Sequence, residues 1–387
     1  DFSVLRLLYE HKDENRLGLG YLGTQVTGPR YKASVQGLDL HYGLGSGLFG
    51  VDMQLVQSDR AGETGRGGIL DVRYAASSAI QHKFEFEYFD SKVNVNDLGF
   101  LRRNNYRGGQ YLLSYAYPKP GRWFQAARGT LIFRHQENLT AGQVVDQGVF
   151  WRNTLVLKGR NTIRTAMAYL PSRYEDRNSR GNGAYKTSDR IWLNALWATD
   201  ASRPLSFSTS IGGLQEDLGD WTLNLTAGVT ARLSDSLYFD LDLAYKRRTG
   251  WVVYQGGREF GAFDAIDLQP SFDLNWFLAA DHQIKFSFQW AGVKAYERQA
   301  YRIPSVDGAL QRRAGTAGPR DFTVSLLTTQ VRYRWEIAPL TDFYVVYNRG
   351  NQLPPTEADA FGDLLSDAFQ DPVVSSLVVK LRYRFGG

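Results

Sequence analysis

Apolar and polar side chains alternate along this chain in segments of roughly nine to fourteen residues, each closed by a turn cluster, with little helical spacing between them. In Leu237-Tyr238-Phe239-Asp240-Leu241-Asp242-Leu243-Ala244-Tyr245-Lys246 every odd position is apolar or aromatic, and the even positions include two Asp and a Lys. The same split sets Trp221, Leu223, Leu225, Ala227 and Val229 against Thr222, Asn224, Thr226 and Thr230. It also sets Phe84, Phe86 and Tyr88 against Glu85 and Glu87, and Ile284, Phe286, Phe288 and Trp290 against Lys285, Ser287 and Gln289. Near the C-terminus Leu377, Val379, Leu381, Tyr383 and Phe385 oppose Lys380, Arg382 and Arg384. Side chains of successive strand residues point to opposite faces, so each segment predicts a strand with one face for an apolar medium and one for water.

A soluble β-sandwich alternates too. Three features separate it from a membrane barrel. Crossing a bilayer takes roughly nine to eleven tilted residues, which these segments supply, whereas soluble strands average about five or six. Full charges recur on the would-be inner face, where a dry core would exact several kcal/mol for each unpaired one. Aromatic residues gather toward predicted strand ends at Tyr9, Tyr21, Tyr115, Tyr117, Trp123, Trp197, Trp251 and Trp290, as interfacial girdles do. Turns fall into two sizes. Pro118–Gly121, Lys158–Asn161, Leu233–Ser236 and Ala280–His282 are short, whereas the connections near 91–106, 171–187, 297–320 and 350–372 are long. These sizes alternate consistently if the last strand runs toward the periplasm. The fold class expected is therefore all-β: a large antiparallel transmembrane β-barrel of about 18–20 strands. The count comes to roughly nineteen, with the pattern blurred at 27–48 and 250–264. Single-chain bacterial barrels usually have an even number, so further strands upstream of Asp1 are expected.

Composition narrows the chemistry. The 387 residues contain no Cys, only two Met, 39 Gly and 53 aromatic residues (22 Phe, 22 Tyr and 9 Trp). Disulfide and thiolate chemistry is thereby removed, and no run reaches the eighteen or so apolar residues of a membrane helix. The composition is even from end to end, so residues 1–387 are expected to form one barrel, preceded by an upstream domain and first strands. A net charge of +5, with Arg and Lys interspersed among acids, does not describe a nucleic-acid binder.

Further stretches carry a family likeness. Phe2-Ser3-Val4-Leu5-Arg6, Leu17-Gly18-Leu19-Gly20-Tyr21-Leu22-Gly23-Thr24, Leu38-Asp39-Leu40 and Asp97-Leu98-Gly99-Phe100-Leu101-Arg102-Arg103-Asn104-Asn105 are the specific ones, together with the terminal Leu377–Phe385 strand. They resemble the barrel region of a bacterial outer-membrane family whose members carry an N-terminal domain similar to family-nine carbohydrate-binding modules. The resemblance implies that this chain is the C-terminal barrel part of a longer protein, because neither that domain nor the family's early Glu-Arg-Arg-type motif appears in it. It carries no catalytic residue over to this chain.

No enzyme is expected. His11, His41, His82, His135 and His282 are scattered without HExxH or close pairing, so neither a metal nor any other cofactor is foreseen. Gly43-Leu44-Gly45-Ser46-Gly47 and Gly65-Arg66-Gly67-Gly68 lack the Lys-Ser/Thr of a phosphate loop and read as turns. No serine has a GxSxG context. Glu85 with Glu87, and Asp240 with Asp242, each share a strand face and read as lumen-lining charge rather than paired catalytic carboxylates. The basic row Arg232, Lys246, Lys285, Arg332, Arg334, Lys380, Arg382 and Arg384 either makes the lumen disfavour cations or pairs with Glu336, Asp240, Asp242 and Asp273 to hold the wall. Reversal potentials near zero in a salt gradient would count against selectivity. From Asn351 to Asp371, Phe361, Leu364, Leu365 and Phe369 have helical spacing and Glu357, Asp359, Asp363 and Asp367 are acidic. That segment predicts a short amphipathic helix in an outer-rim loop, with a constriction in the lumen, calcium binding through its carboxylates, or a cap on the outer rim as alternatives.

The function expected is a passive conduit for hydrophilic solutes or a polymer. The alternative is a plugged barrel that anchors a glycan-binding domain or secretion and surface-display partners. Expected partners are outer-membrane lipid and lipopolysaccharide, periplasmic or surface proteins and a glycan; nucleic acid is not among them.

Overall fold

The computed structural model describes residues 1–29, 31–117, 119–313, 320–353, 360–370 and 372–384, with Gln352 and Leu353 described by backbone alone. Contacts group the chain into two compact units: Asp1–Leu155, Ala166–Asp176 and Lys186–Asp189 in the first, and Val156–Thr165, Arg177–Tyr185 and Arg190–Gly387 in the second. The strands run in order β1 (Phe2–Lys12), β2 (Asn15–Thr27), β3 (Lys32–Leu44), β4 (Phe49–Arg60), β5 (Glu63–Ala75), β6 (Ile80–Phe89), β7 (Tyr106–Tyr117), β8 (Phe124–Asn138), β9 (Val144–Leu157), β10 (Thr162–Leu170), and the two-residue β11 (Tyr174–Glu175) and β12 (Tyr185–Lys186). They continue as β13 (Arg190–Ala198), β14 (Leu205–Gln215), β15 (Trp221–Ser234), β16 (Leu237–Gly256), β17 (Glu259–Ala279), β18 (His282–Arg302), β19 (Gln311–Arg312), β20 (Phe322–Ala338) and β21 (Thr341–Leu353), then helix α1 (Phe361–Gln370) and β22 (Val374–Arg382).

Among the described residues one sheet holds 20 strands and a second holds β11 and β12. Setting aside the two-residue β19 leaves nineteen long strands in the large sheet, the number the alternation predicts. From β1 to β8 each strand pairs antiparallel with the next. In the second unit β13 to β18, and then β18, β20, β21 and β22, do the same. Tight turns show the expected backbone. At the β4–β5 hairpin Ala61 and Gly62 both have positive φ (53° and 86°), the mirror-image turn whose twist matches its flanking strands.

Register keeps the two faces apart. In the second unit one row reads Arg232, Tyr238, Asn275, Lys285 and Arg332 across β15–β20, and the next reads Thr230, Asp240, Asp273, Ser287, Gln330, Asn348 and Ser376. The opposite face carries Leu237, Trp276, Ile284, Tyr333, Val345 and Val379 in register. A one-residue slip would exchange every side chain between faces, so the pattern fixes the pairing.

β16, β17 and β18 have 20, 21 and 21 residues, about twice what a bilayer crossing needs. Their far halves carry a small core in which Tyr185, Phe260, Ile303 and Leu310 pack with Leu218, Val252, Tyr254 and Tyr301. This departs from the sequence expectation of a long loop beginning near 297, since β18 continues to Arg302. The register with β17 shifts between Ala262 and Phe263. An extra residue there breaks the period of two, so the strand end does not look like a strand in the sequence. Trp251 and Trp290 lie in mid-strand rather than at strand ends for the same reason: β16 and β18 run on past them. Tyr21 is likewise interior to β2. Pro118 and Phe385, placed in a turn and in the last strand by the sequence, lie outside the described residues.

Candidate functional site

In the first unit the polar face places Asp52, Asp71 and Glu85 directly opposite one another across β4, β5 and β6, followed by Gln110 and Arg134 on β7 and β8. Like charges so placed repel. The neighbouring row offsets this: Arg73 reaches Asp52 at 2.6 Å, and Lys83 bridges Asp71 at 3.1 Å and Glu85. Glu87 accepts from Tyr106 at 2.8 Å.

Residues 90–105 fold back onto this same face. Val93, Val95 and Leu101 pack on Val56, Ile69, Phe89 and Tyr106. Asx residues supply the turns: Asp90 accepts from the backbone of Lys92 and Val93, and Asn96 accepts from that of Leu101 at 2.7 Å. Anchors tie the loop to the sheet. Asn94 donates from its backbone to buried Ser58 at 2.9 Å, Asp97 accepts from Tyr31 at 2.5 Å and meets Arg60 at 3.3 Å, and Arg103 clamps Asp176 with two bonds of 3.0 and 2.7 Å. β5 admits the loop only because of glycine. A Cβ on Gly65 would stand 2.1 Å from the Val93 backbone nitrogen. Beneath the loop is a cleft of about 190 Å³ lined by Glu85, Glu87, Arg102, Gln110, Arg134 and Gln136. Phe100 at the loop tip is 84% exposed.

The sequence places Glu85 and Glu87 here but does not single out Arg102, Arg134 or the Arg103–Asp176 clamp. A signal existed: a 16-residue connection punctuated by Asp90, Asn94, Asn96, Asn104 and Asn105 is long enough to have a structure of its own.

In the second unit, Arg334 pairs with Asp342 at 2.7 Å and Glu336 at 2.9 Å, while Arg382 lies 4.0 Å from the same Asp342. Lys246 is 4.0 Å from Asp267, and Arg232 donates to the Ala201 carbonyl at 2.6 Å. Asp240 accepts from Thr230 at 2.5 Å and sits opposite Asp273, and Asp242 sits opposite Gly228. Lys285 and Arg332 face each other across β18 and β20, and Lys380 lies opposite Tyr344. None of those three has an ion pair among the described residues. Arg384 is exposed beyond β22. The structure thus brings the row together but divides it between paired and unpaired cations.

The predicted helix is present as α1, over residues 361–370. It lies against the face bearing Phe288, Trp290 and Leu327, the face opposite Lys285 and Arg332. Leu364 and Ala368 are buried there, a Leu contributing about 1.5–3 kcal/mol. Ser325 joins the layers, accepting from Trp290 Nε1 at 3.0 Å and donating to the Leu364 carbonyl at 2.9 Å. The last carbonyls of α1 are satisfied by Arg349 and Asn351. Asp363 and Asp367 point away and are exposed, whereas Glu357 and Asp359 lie outside the described residues. Among the described residues no acidic or His group is arranged to hold a metal.

A further ion network, not foreseen from the sequence, joins the far halves of the long strands to the loops beside them. Asp217 accepts from Tyr185 at 2.8 Å and from Arg190 at 2.6 Å, and Arg248 meets Asp267 at 3.2 Å, Glu216 at 3.8 Å and the Trp251 ring at 4.5 Å. Burial pushes the Glu216 carboxyl above its ordinary value, against the opposing pull of Thr222 and Arg248.

Comparison with solved structures gives a mutant ferric enterobactin receptor (PfeA) from Pseudomonas aeruginosa, with 8% identity and a TM-score of 0.42, covering 98% of this chain and 71% of that one. Another mutant of the same receptor, in complex with enterobactin, has 8% identity and a TM-score of 0.41 at 98% and 72% coverage. No curated protein matches the chain. A family model matches residues 23–385, nearly the whole chain. The chain therefore belongs to the family described as Domain of unknown function (DUF5916).

Proposed function

We propose that the chain is an outer-membrane β-barrel that acts as a passive conduit for hydrophilic solutes or a polymer, without catalysis. The observation that carries this reading is the division of the sheet into two faces. The polar face is laced with ion pairs and hydrogen bonds, while the other presents large apolar side chains to the surroundings, with Leu241 and Leu243 at 48% and 44% exposure. A water-soluble protein rarely leaves so extended an apolar surface uncovered, and lipid is the medium that suits it. With about sixteen or more strands a barrel leaves a lumen wider than its side chains fill. Lipid and lipopolysaccharide would then be the partners of the apolar face.

A second reading is a plugged barrel that anchors a glycan-binding domain, like the family-nine carbohydrate-binding modules, or a surface protein. It is favoured by residues 90–105, which are fastened over the polar face at several points. Single-channel conductance of the purified protein in planar bilayers separates the two. The conduit reading expects large, steady openings reduced by an oligosaccharide added on one side. A folded protein that inserts and conducts nothing would leave the anchor.

A further inference from the structure

At the height where residues 90–105 cover the polar face of the first unit, the opposite face is bare and indented. Four strands contribute in register: Leu55 opposite Gly68, Gly68 opposite Tyr88, Leu70 opposite Phe86, and Phe86 opposite Gly109. The two glycines remove side chains where their neighbours carry large ones, leaving a mostly apolar trough of about 690 Å³. That volume lies within the range of ordinary ligand sites. The end nearer residues 90–105 is cationic. Arg66, Arg107 and His135 stand there with the carboxylate of Glu137; Glu87 also borders the trough, but its carboxylate is turned to the polar face, where it accepts from Tyr106. Glu137 accepts from Arg107 at 2.9 Å and lies 3.2 Å from His135. Arg107 is still 66% exposed. Arg66 donates to Gln57 at 3.3 Å and has no ion pair among the described residues. Two arginines against one carboxylate leave a charge of +1 with His135 neutral, and +2 when it is protonated.

We propose that this trough binds a phosphorylated, acylated lipid of the surrounding leaflet, with an acyl chain along Gly68 and Gly109 and the phosphate on Arg66 and Arg107. The proposal rests on the membrane reading above. Apolar length ending in net positive charge matches a lipid with an anionic head and matches neither a free phosphate nor a neutral sugar.

The test is native mass spectrometry of the detergent-solubilised protein titrated with lipid A or with phosphatidylcholine, beside flotation of the same protein with lipid vesicles. Wild-type protein is expected to float and to retain lipid A in preference to phosphatidylcholine. Arg66→Ala/Arg107→Ala is expected to lose at least fivefold of the lipid A retention. Leu55→Trp, at a rim position 49% exposed and outside the charged cluster, should lose a similar share by filling the trough. Equal retention by all three proteins, or no retention by a wild type that floats, would overturn the site while leaving the membrane reading intact. Failure of the wild type to float would overturn both.

Discussion

Glu216 is placed between opposing forces. Thr222 donates to it and Arg248 lies 3.8 Å away, yet the loss of water outweighs both and raises its pKa. A carboxyl that holds its proton more tightly when folded contributes stability that is complete below the ordinary glutamate pKa. That contribution is lost as pH rises through the raised value. The turn 216–220 that it opens, and residues 177–185 that Asp217 ties to that turn through Tyr185, should therefore loosen as pH rises above the ordinary glutamate range. Glu216→Gln keeps a partner for Thr222 and removes the charge. Amide exchange in those loops is expected to be several-fold slower in the variant than in wild type at pH 7.5, with the difference vanishing by pH 4. An identical pH profile in both proteins would show that Glu216 does not control these loops.

At the scale of elements, the connection 90–105 depends on one position in a neighbouring strand. Gly65 has no room for a side chain because the loop backbone lies on it, so Gly65→Val should lift the loop while β4 and β5 keep their pairing. If the loop narrows a conduit, the variant should show a larger single-channel conductance and faster proteolysis within 90–105. Unchanged conductance with faster proteolysis would mean that the loop narrows nothing. The strands were legible in the sequence because a period of two is a local property, which Leu237–Lys246 displays without any knowledge of its neighbours. The long turns at 91–106 and 171–187 were legible for the same reason. The end of β18 was not, since the bulge near Phe263 interrupts the period. Nor was the seat of residues 90–105, which is decided by Gly65 and Ser58 some 30 residues away in sequence. Helix α1 was readable as a helix from its apolar spacing, but its contact with Trp290 and Leu327 depends on strand pairing that no local pattern encodes.

Over the whole molecule the net charge of +5 says little, because on the conduit reading proposed above the charges that count are those of the polar face that remain uncompensated. In the second unit Arg334 and Arg382 are met by Glu336 and Asp342, whereas Lys285, Arg332 and Lys380 have no ion pair among the described residues and Arg232 is held by a backbone carbonyl. Asp240, Asp242 and Asp273 gather on the same face, with Asp240 and Asp273 in direct opposition. Unpaired charge in a water-filled lumen biases permeation, whereas an ion pair largely cancels its own field. Replacing Lys285, Arg332 and Lys380 together by Gln should then move the reversal potential toward cation preference in a gradient built on 0.1 M salt. Raising the salt to 1 M, where the screening length shrinks to about 3 Å, should erase most of that shift. Substituting Arg334 alone should shift the reversal potential in the same direction as the triple variant, because it leaves Glu336 unpaired and Asp342 with only Arg382, 4.0 Å away. A triple variant with wild-type reversal potential at 0.1 M would remove the polar face of the second unit from the conduction path.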